Sequence, residues 1–321
     1  MNNKSAMYDL LQGTGYYGAV KYTSTAVAAI LILLGLTGNS IILIGSFQYN
    51  AFRLDKVTAT LIDHLAVSDL ACTVVLMIPS TIATMWDSWP FGYTFCKIHF
   101  YMVLTLSHCS VCHICAMTTS KLVSIQRPFR AQLWERRDGH LLGSAVWVLS
   151  VTPAVILLIV NPNSFYYDNV RIACMYDFSD PIWTYLLPAV SFFMAGVPNM
   201  ILVISTIGLI VSAWKVAKRG RESVKWQGMI TVICVALVYF ISYSPQVVLN
   251  LMGGKYQHPD QTDNNIKVGI LICSRLILLN YVSNVFIYTI SVHSFRQFLK
   301  SWVRAPTFHY RAVREMMETG V

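Results

Sequence analysis

YTSTAVAAILILLGLTGNSIILIGSF, residues 22–47, carries no charged side chain over its whole length. The hydrocarbon core of a bilayer takes about 20 apolar residues of helix to cross. Only a helix or a closed barrel satisfies its own backbone there, and this run is long enough for the first. Reading outward from it finds six more such runs. Val57–Met85 embeds Asp63 and Asp69. Ile98–Ser120, Leu141–Val160, Pro181–Trp214 and Trp226–Met252 are uncharged, and Val268–Ile290 holds one charge, Arg275. Pro153, Pro198 and Pro245 fall inside spans, which membrane helices accept when neighbours satisfy the freed backbone groups. The expected fold is an all-α membrane protein, a seven-transmembrane helix bundle.

Composition agrees. Apolar types make up 55% of the 321 residues and charged types 12%, against about 25% charged in globular domains. So few charges could not cover a water-facing surface. The net charge of +9 belongs to short loops between apolar runs, so it points to a lipid bilayer as partner and not to nucleic acid. The loops after the first, third and fifth spans, with the tail, hold 16 Lys and Arg, and the opposite side holds six. The basic side is cytoplasmic by the positive-inside rule, which predicts a multi-pass plasma-membrane protein with its amino end outside. Residues 1–21 hold Lys4, Asp9 and Lys21 and lack a signal-peptide apolar core, so the first span is expected to serve as insertion signal. The expected division is 1–21 extracellular, 22–291 bundle, and 292–321 amphipathic helix and tail. Asn3-Lys4-Ser5 is a glycosylation sequon on the outer side. Val292–Val303 reads as a short amphipathic eighth helix, with Phe295, Phe298, Leu299 and Trp302 on one face. No cysteine follows it, which removes palmitoylation as an anchor. Of eight cysteines, six lie in apolar runs; Cys96 and Cys174 fall at loop or helix-end positions on one side and are the pair expected to bond.

An ordered set of landmarks runs along the spans: Gly38-Asn39, then Leu65-Ala66-Val67-Ser68-Asp69, Trp89-Pro90-Phe91-Gly92 before Cys96, Trp147 with Pro153, Pro198, Pro245, and finally Asn280, Asn284 and Tyr288. The series resembles the rhodopsin-like (class A) G-protein-coupled receptors over nearly the whole chain. The resemblance implies a receptor and not an enzyme, with a heterotrimeric G protein as partner. It implies a Cys96–Cys174 bridge from the third helix to the second outer loop. It also implies an activation network at Asp69, Ser110, Asn280 and Asn284, whose oxygens suit an allosteric sodium ion; no other cofactor and no metal site is expected. The alternative for Asp69 is a protonated acid that joins helices through Asn39 and Asn284. Tyr243 falls at the aromatic toggle of the sixth helix, and Tyr288 at the tyrosine of Asn-Pro-x-x-Tyr, whose proline is replaced by Val285. The family's Asp-Arg-Tyr falls on Ser120-Lys121-Leu122. Lys121 keeps the charge needed for G-protein coupling but loses the planar fork, and Ser120 removes the acid that would restrain it.

Val103 stands where amine receptors place their aspartate and Leu278 where opsins place the retinal lysine, so neither ligand is expected. Arg275 is a lone cation in the outer half of the seventh span, suited to a carboxylate through paired hydrogen bonds. Its place, with Pro79–Thr84, Ile114–Met117 and Tyr256–Pro259, resembles prostaglandin E receptors. The lead expectation is therefore a prostanoid-like carboxylate lipid. Its acid end would pair with Arg275 and its body would pack on Val103, Leu104 and Val247, between the third, fifth, sixth and seventh helices. Ile172-Ala173, Asn284–Phe286 and Met85 depart from that group. The alternative for Arg275 is a structural charge paired with Asp177 or Asp180. A neuropeptide-type receptor is the runner-up, from the strand-like alternation of Val170–Tyr176 and the acidic Asp168, Asp177, Asp180, Asp260 and Asp263. A weakly coupling or decoy receptor follows if Lys121 fails to couple. An intramembrane metal hydrolase is the distant alternative, since His99, His108 and His113 do not share one helix face.

Overall fold

The computed structural model describes residues 3–86, 88–160, 165–168, 173–176, 192–218, 224–252 and 264–303. Seven helices among these are long and apolar enough to cross a membrane: Gly18–Tyr49, Lys56–Trp86, Gly92–Gln126, Arg136–Ile159, Phe192–Lys215, Trp226–Val248 and Leu271–Ser291. They match the seven apolar runs. The ends differ, because helices continue past the hydrocarbon wherever no breaker stops them. The first begins at Asn3, not at Tyr22, since no proline interrupts residues 3–49. The third runs Gly92–Gln126 and stops one residue before the Arg127-Pro128 pair, as the residue before proline disfavours helix.

Prolines shape the second and fifth helices in the same way. A π-helical turn spans Thr73–Met77 ahead of Pro79, and another spans Phe192–Gly196 ahead of Pro198. Proline supplies no N–H to the carbonyl one turn back, and a wider turn relieves the mismatch. Pro153 and Pro245 lie within helices that continue through them.

The third helix is the hub and packs on the second, fourth, fifth and sixth, while the seventh packs on the first and sixth. Small residues set the closest approaches, the expected rule where lipid removes the hydrophobic drive between helices. A Cβ added at Gly143 of the fourth helix would meet the His64 ring at 2.6 Å, and one at Gly139 would meet Thr60 at 2.8 Å. Apolar residues that face away from the bundle, such as Leu33, Val148 and Ile204, are exposed, as lipid contact requires.

Between the fourth and fifth helices lies a hairpin of two strands, β1 (Phe165–Asp168) and β2 (Ala173–Tyr176), paired antiparallel with Tyr167 opposite Cys174. The alternation read from residues 170–176 is thus a strand over its last four. Past the seventh helix, residues 293–303 form the eighth. Phe295 and Phe298 are buried and Leu299 packs on the core. Trp302, expected on the same face, stacks on Phe298 at 6.0 Å but is 39% exposed at the helix end.

Candidate functional site

On the outer side Cys96, near the start of the third helix, is bonded to Cys174 of β2 with a Cα–Cα distance of 5.4 Å. Both are buried with Phe100 and Leu157, and Leu104 packs against this group. The bridge fixes the hairpin over the mouth of the bundle.

Arg275 is half-buried in the seventh helix. Its Nε donates to Ser24 Oγ of the first helix at 2.8 Å, and its Nη2 donates to Thr84 Oγ1 of the second at 3.1 Å. Its hydrogen-bond partners among the described residues are two neutral hydroxyls. The guanidinium therefore points between the first, second and seventh helices, not toward the fifth and sixth. Val103 packs in the neighbouring cluster with Leu278 and Tyr281; Leu104 belongs to the disulfide cluster; Val247 is 50% exposed. The structure thus brings Val103 to the side of the seventh helix and places Leu104 in a different cluster. Asp177, Asp180, Asp260, Asp263, Tyr256–Pro259, the inner-loop residues 219–223 and the tail from 304 lie outside the described residues, as does the side chain of Asn3.

One helical turn and more inward, the polar network assembles. Asp69 is fully buried, and its Oδ2 accepts from Asn284 Nδ2 at 2.6 Å. Asn280 Nδ2 donates to Ser110 Oγ at 3.3 Å. Asp69 Oδ1 is buried and makes no hydrogen bond among the described residues. Asn39 does not reach the acid; its Nδ2 donates to the carbonyls of Gly35 and Tyr281, at 3.0 and 2.9 Å. Tyr281 also meets Tyr243 hydroxyl to hydroxyl at 3.0 Å, which links first, sixth and seventh helices through a residue the sequence reading did not single out.

At the inner end Tyr288 is fully buried, edge-on to Phe52 of the first inner loop at 5.4 Å, and Phe52 stacks on Phe295 at 4.9 Å. The largest departure from expectation is at Lys121. The loss of the adjacent acid does not leave this cation unrestrained: its Nζ lies 2.6 Å from Asp55 Oδ2. Asp55 also caps the second helix, accepting from Thr58 N at 3.0 Å. Burial alone would push the Asp55 carboxyl up, but the Lys121 charge and the hydrogen bonds from Lys121 and Thr58 outweigh it and hold the group below its ordinary value. Among the described residues Ser120 bonds to its own helix, donating to Met117 O at 3.1 Å.

The histidines of the third helix stay apart in role. His113 Nδ1 lies 2.9 Å from the Cys109 carbonyl and His108 Nε2 lies 3.3 Å from Cys112 Sγ. Among the described residues no group of three His, Cys, Asp or Glu is placed to hold a metal ion.

The pattern described as 7 transmembrane receptor (rhodopsin family) matches residues 38–288. Human lysophosphatidic acid receptor 4 is 26% identical over 287 residues, covering 85% of this chain and 75% of that receptor. Apelin receptor B of Danio rerio is 29% identical over 153 residues, 47% of this chain and 42% of that receptor. Squid rhodopsin superposes with a TM-score of 0.73 at 19% identity, over 89% of this chain and 82% of that one, a likeness of fold. None of these three is a prostanoid receptor, so the prostaglandin E likeness of the short segments gains no support from them. The pattern match covers most of the chain, and the order of landmarks, the outer disulfide and the seven-helix path agree with it: the chain belongs to the rhodopsin family of seven-transmembrane receptors, and is a receptor rather than an enzyme.

Proposed function

We propose that this receptor, set in the plasma membrane with its amino end outside, responds to an extracellular carboxylate lipid of the prostanoid kind and signals through a heterotrimeric G protein. The observation that carries this reading is Arg275. A guanidinium among outer-half helices is costly without an anion or water, and its hydrogen-bond partners among the described residues are the uncharged Ser24 and Thr84. Those hydroxyls orient the fork and carry no charge of their own, which suits an incoming acid. The direction of Arg275 draws the acid end toward the first, second and seventh helices, with Val103 in the cluster of Leu278 and Tyr281 and Leu104 packed on the disulfide. One relative is named for lysophosphatidic acid, which supports an acidic lipid as a class.

A sodium ion fits the inner network. The partnerless Asp69 Oδ1, with the side-chain oxygens of Ser110, Asn280 and Asn284, offers the hard donors such a cation takes. Bound there, it would neutralise Asp69 and tie the third and seventh helices together.

A peptide ligand is the second reading, favoured by the outer hairpin and by the apelin receptor among the relatives. A panel of carboxylate lipids, phosphate lipids and basic peptides, read by ligand-stimulated nucleotide exchange, separates these readings and also separates a signalling receptor from a decoy. Arg275→Ala at matched surface amount is expected to weaken the carboxylate lipid by about 10- to 100-fold, the worth of one charged hydrogen-bonded contact. Unchanged potency would remove Arg275 as the anchor.

A further inference from the structure

His140 of the fourth helix is exposed and is the last residue before the uncharged run Leu141–Val160, so it stands at the cytoplasmic edge of the bilayer. His64 of the second helix is half-buried, and its Nε2 lies 3.2 Å from His140 Nδ1. The His64 ring also stacks on His113 of the third helix at 5.8 Å. His113 is fully buried. Its Nδ1 carries the hydrogen, because the neighbour at 2.9 Å is the Cys109 carbonyl, which only accepts. Three helices thus give one imidazole each to a single row, exposed at one end and sealed at the other.

The row is tightly packed and the charges around it are few. A Cβ on Gly143 would meet the His64 ring at 2.6 Å, so the fourth helix lies directly against that ring. Asp63, buried and next to His64 in sequence, interacts electrostatically with His140 and with Arg136. Arg136 Nη2 in turn donates to Asn50 Oδ1, just past the first helix, at 3.1 Å. From the third helix the titratable group against His64 is His113.

We propose that His64 and His140 form a proton-binding site open to the cytoplasm, which tightens the contact of the second helix with the fourth as the cytoplasm acidifies. The site is independent of the ligand and of the G protein. A bond between two ring nitrogens holds one hydrogen, given by one ring to the lone pair of the other. When one proton is added, His140 donates from Nδ1 and its exposed ring carries the charge, while His64 stays neutral and accepts at Nε2. No charge is buried, and the Asp63 carboxylate favours its arrival. A charge-assisted hydrogen bond is about twice as strong as a neutral one, so the helix contact holds the proton and the proton holds the contact. A second proton is refused, since both facing nitrogens would then be donors. The added stability is present at the acid end of the range in which histidine changes charge and is lost as pH rises through it.

The whole receptor, in lipid nanodiscs without ligand, tests the site and its effect on packing separately. Nitrogen-15 spectra of labelled histidine detect coupling between the two ring nitrogens through their shared hydrogen. At pH 6 this coupling is expected in the parent and absent from His140→Gln and His64→Phe; a parent without it would remove the site. The thermal midpoint of the parent is expected to rise by about 2–4 °C from pH 8 to pH 6 relative to His140→Gln, which keeps a neutral donor at an exposed position. His64→Phe fills the same space without a nitrogen and is expected to lose the same pH-dependent part. Equal pH dependence in the parent and His140→Gln would overturn the link between proton and packing, and a dependence that survives in His64→Phe would place the proton on His140 alone and overturn the shared site. Should His64→Phe not fold, the His140→Gln comparison decides by itself.

Discussion

Asp69, sealed in the bundle with one oxygen unpartnered among the described residues, shows how a single residue concentrates the cost and the use of charge in a membrane. Asp69→Asn retains shape and a hydrogen-bonding side chain while deleting the charge. If sodium occupies the network, raising sodium chloride is expected to lower agonist affinity in the parent receptor, and this dependence should vanish in Asp69→Asn, with N-methylglucamine chloride as the ionic-strength control. A parent receptor indifferent to sodium would leave Asp69 as a helix-joining acid. At the inner end, the pH behaviour of Asp55 follows from its lowered pKa. The free energy contributed by its pairing is fully present above the ordinary carboxylate value near 4 and fades as pH falls through the lower folded value. The Lys121–Asp55 pair is therefore intact across the neutral range and insensitive to modest acidification. Residue-scale legibility was uneven for a physical reason. Asp69, Asn280, Asn284 and the two outer cysteines stand out because an acid, two amides or a loop thiol is anomalous in an apolar chain. Asp55, Tyr281 and Ser24 look ordinary where they stand; only contacts with distant helices give them a role.

The helices themselves were legible because length without charge is a one-dimensional property. Their packing was not. Gly139 and Gly143 sit on one face of the fourth helix, and only the structure reveals that this face meets Thr60 and His64 of the second. His64 cannot simply turn aside: its Nε2 is 3.2 Å from His140 Nδ1 and its ring stacks on His113 at 5.8 Å. Gly143→Ala is therefore expected to push the second and fourth helices apart and cost about 1–3 kcal/mol, the usual penalty of overpacking. Thermal unfolding of the purified receptor in detergent reads the effect directly as a lowered midpoint; an unchanged midpoint would mean that the imidazole relay yields at little cost. The helix starts well before the apolar run at Tyr22 for a complementary reason. Hydrophobicity marks where lipid begins, whereas helix ends are set by breakers, and none occurs before Tyr49.

Over the whole molecule, the outer and inner faces are closed by different means. Outside, a covalent bond spans 78 positions of chain and pins β2 to the third helix. The chain-entropy relation gives about 4–5 kcal/mol for such a loop, an upper value here because the spans stay inserted when the loop is released. Cys96→Ala is accordingly expected to reduce ligand affinity strongly while leaving helix content, read by circular dichroism in detergent, unchanged. Loss of helix on the same substitution would make the bridge a requirement of the bundle itself. Inside, aromatic packing replaces the covalent tie: Phe52 joins Tyr288 to the eighth helix, and a Cβ at Gly45 would meet Phe298 at 2.8 Å.

The wide turn at Thr73–Met77 has a bearing on how this chain tolerates change in length. A turn closed by five residues instead of four stores one spare residue, so shortening it by one lets the second helix relax to regular pitch with Thr84 still facing Arg275. An identical excision from the third helix, which has no such slack, would spin everything beyond it by about 100° and carry Lys121 away from its acid. Natural variants of differing length should accumulate at the former place and be purged at the latter.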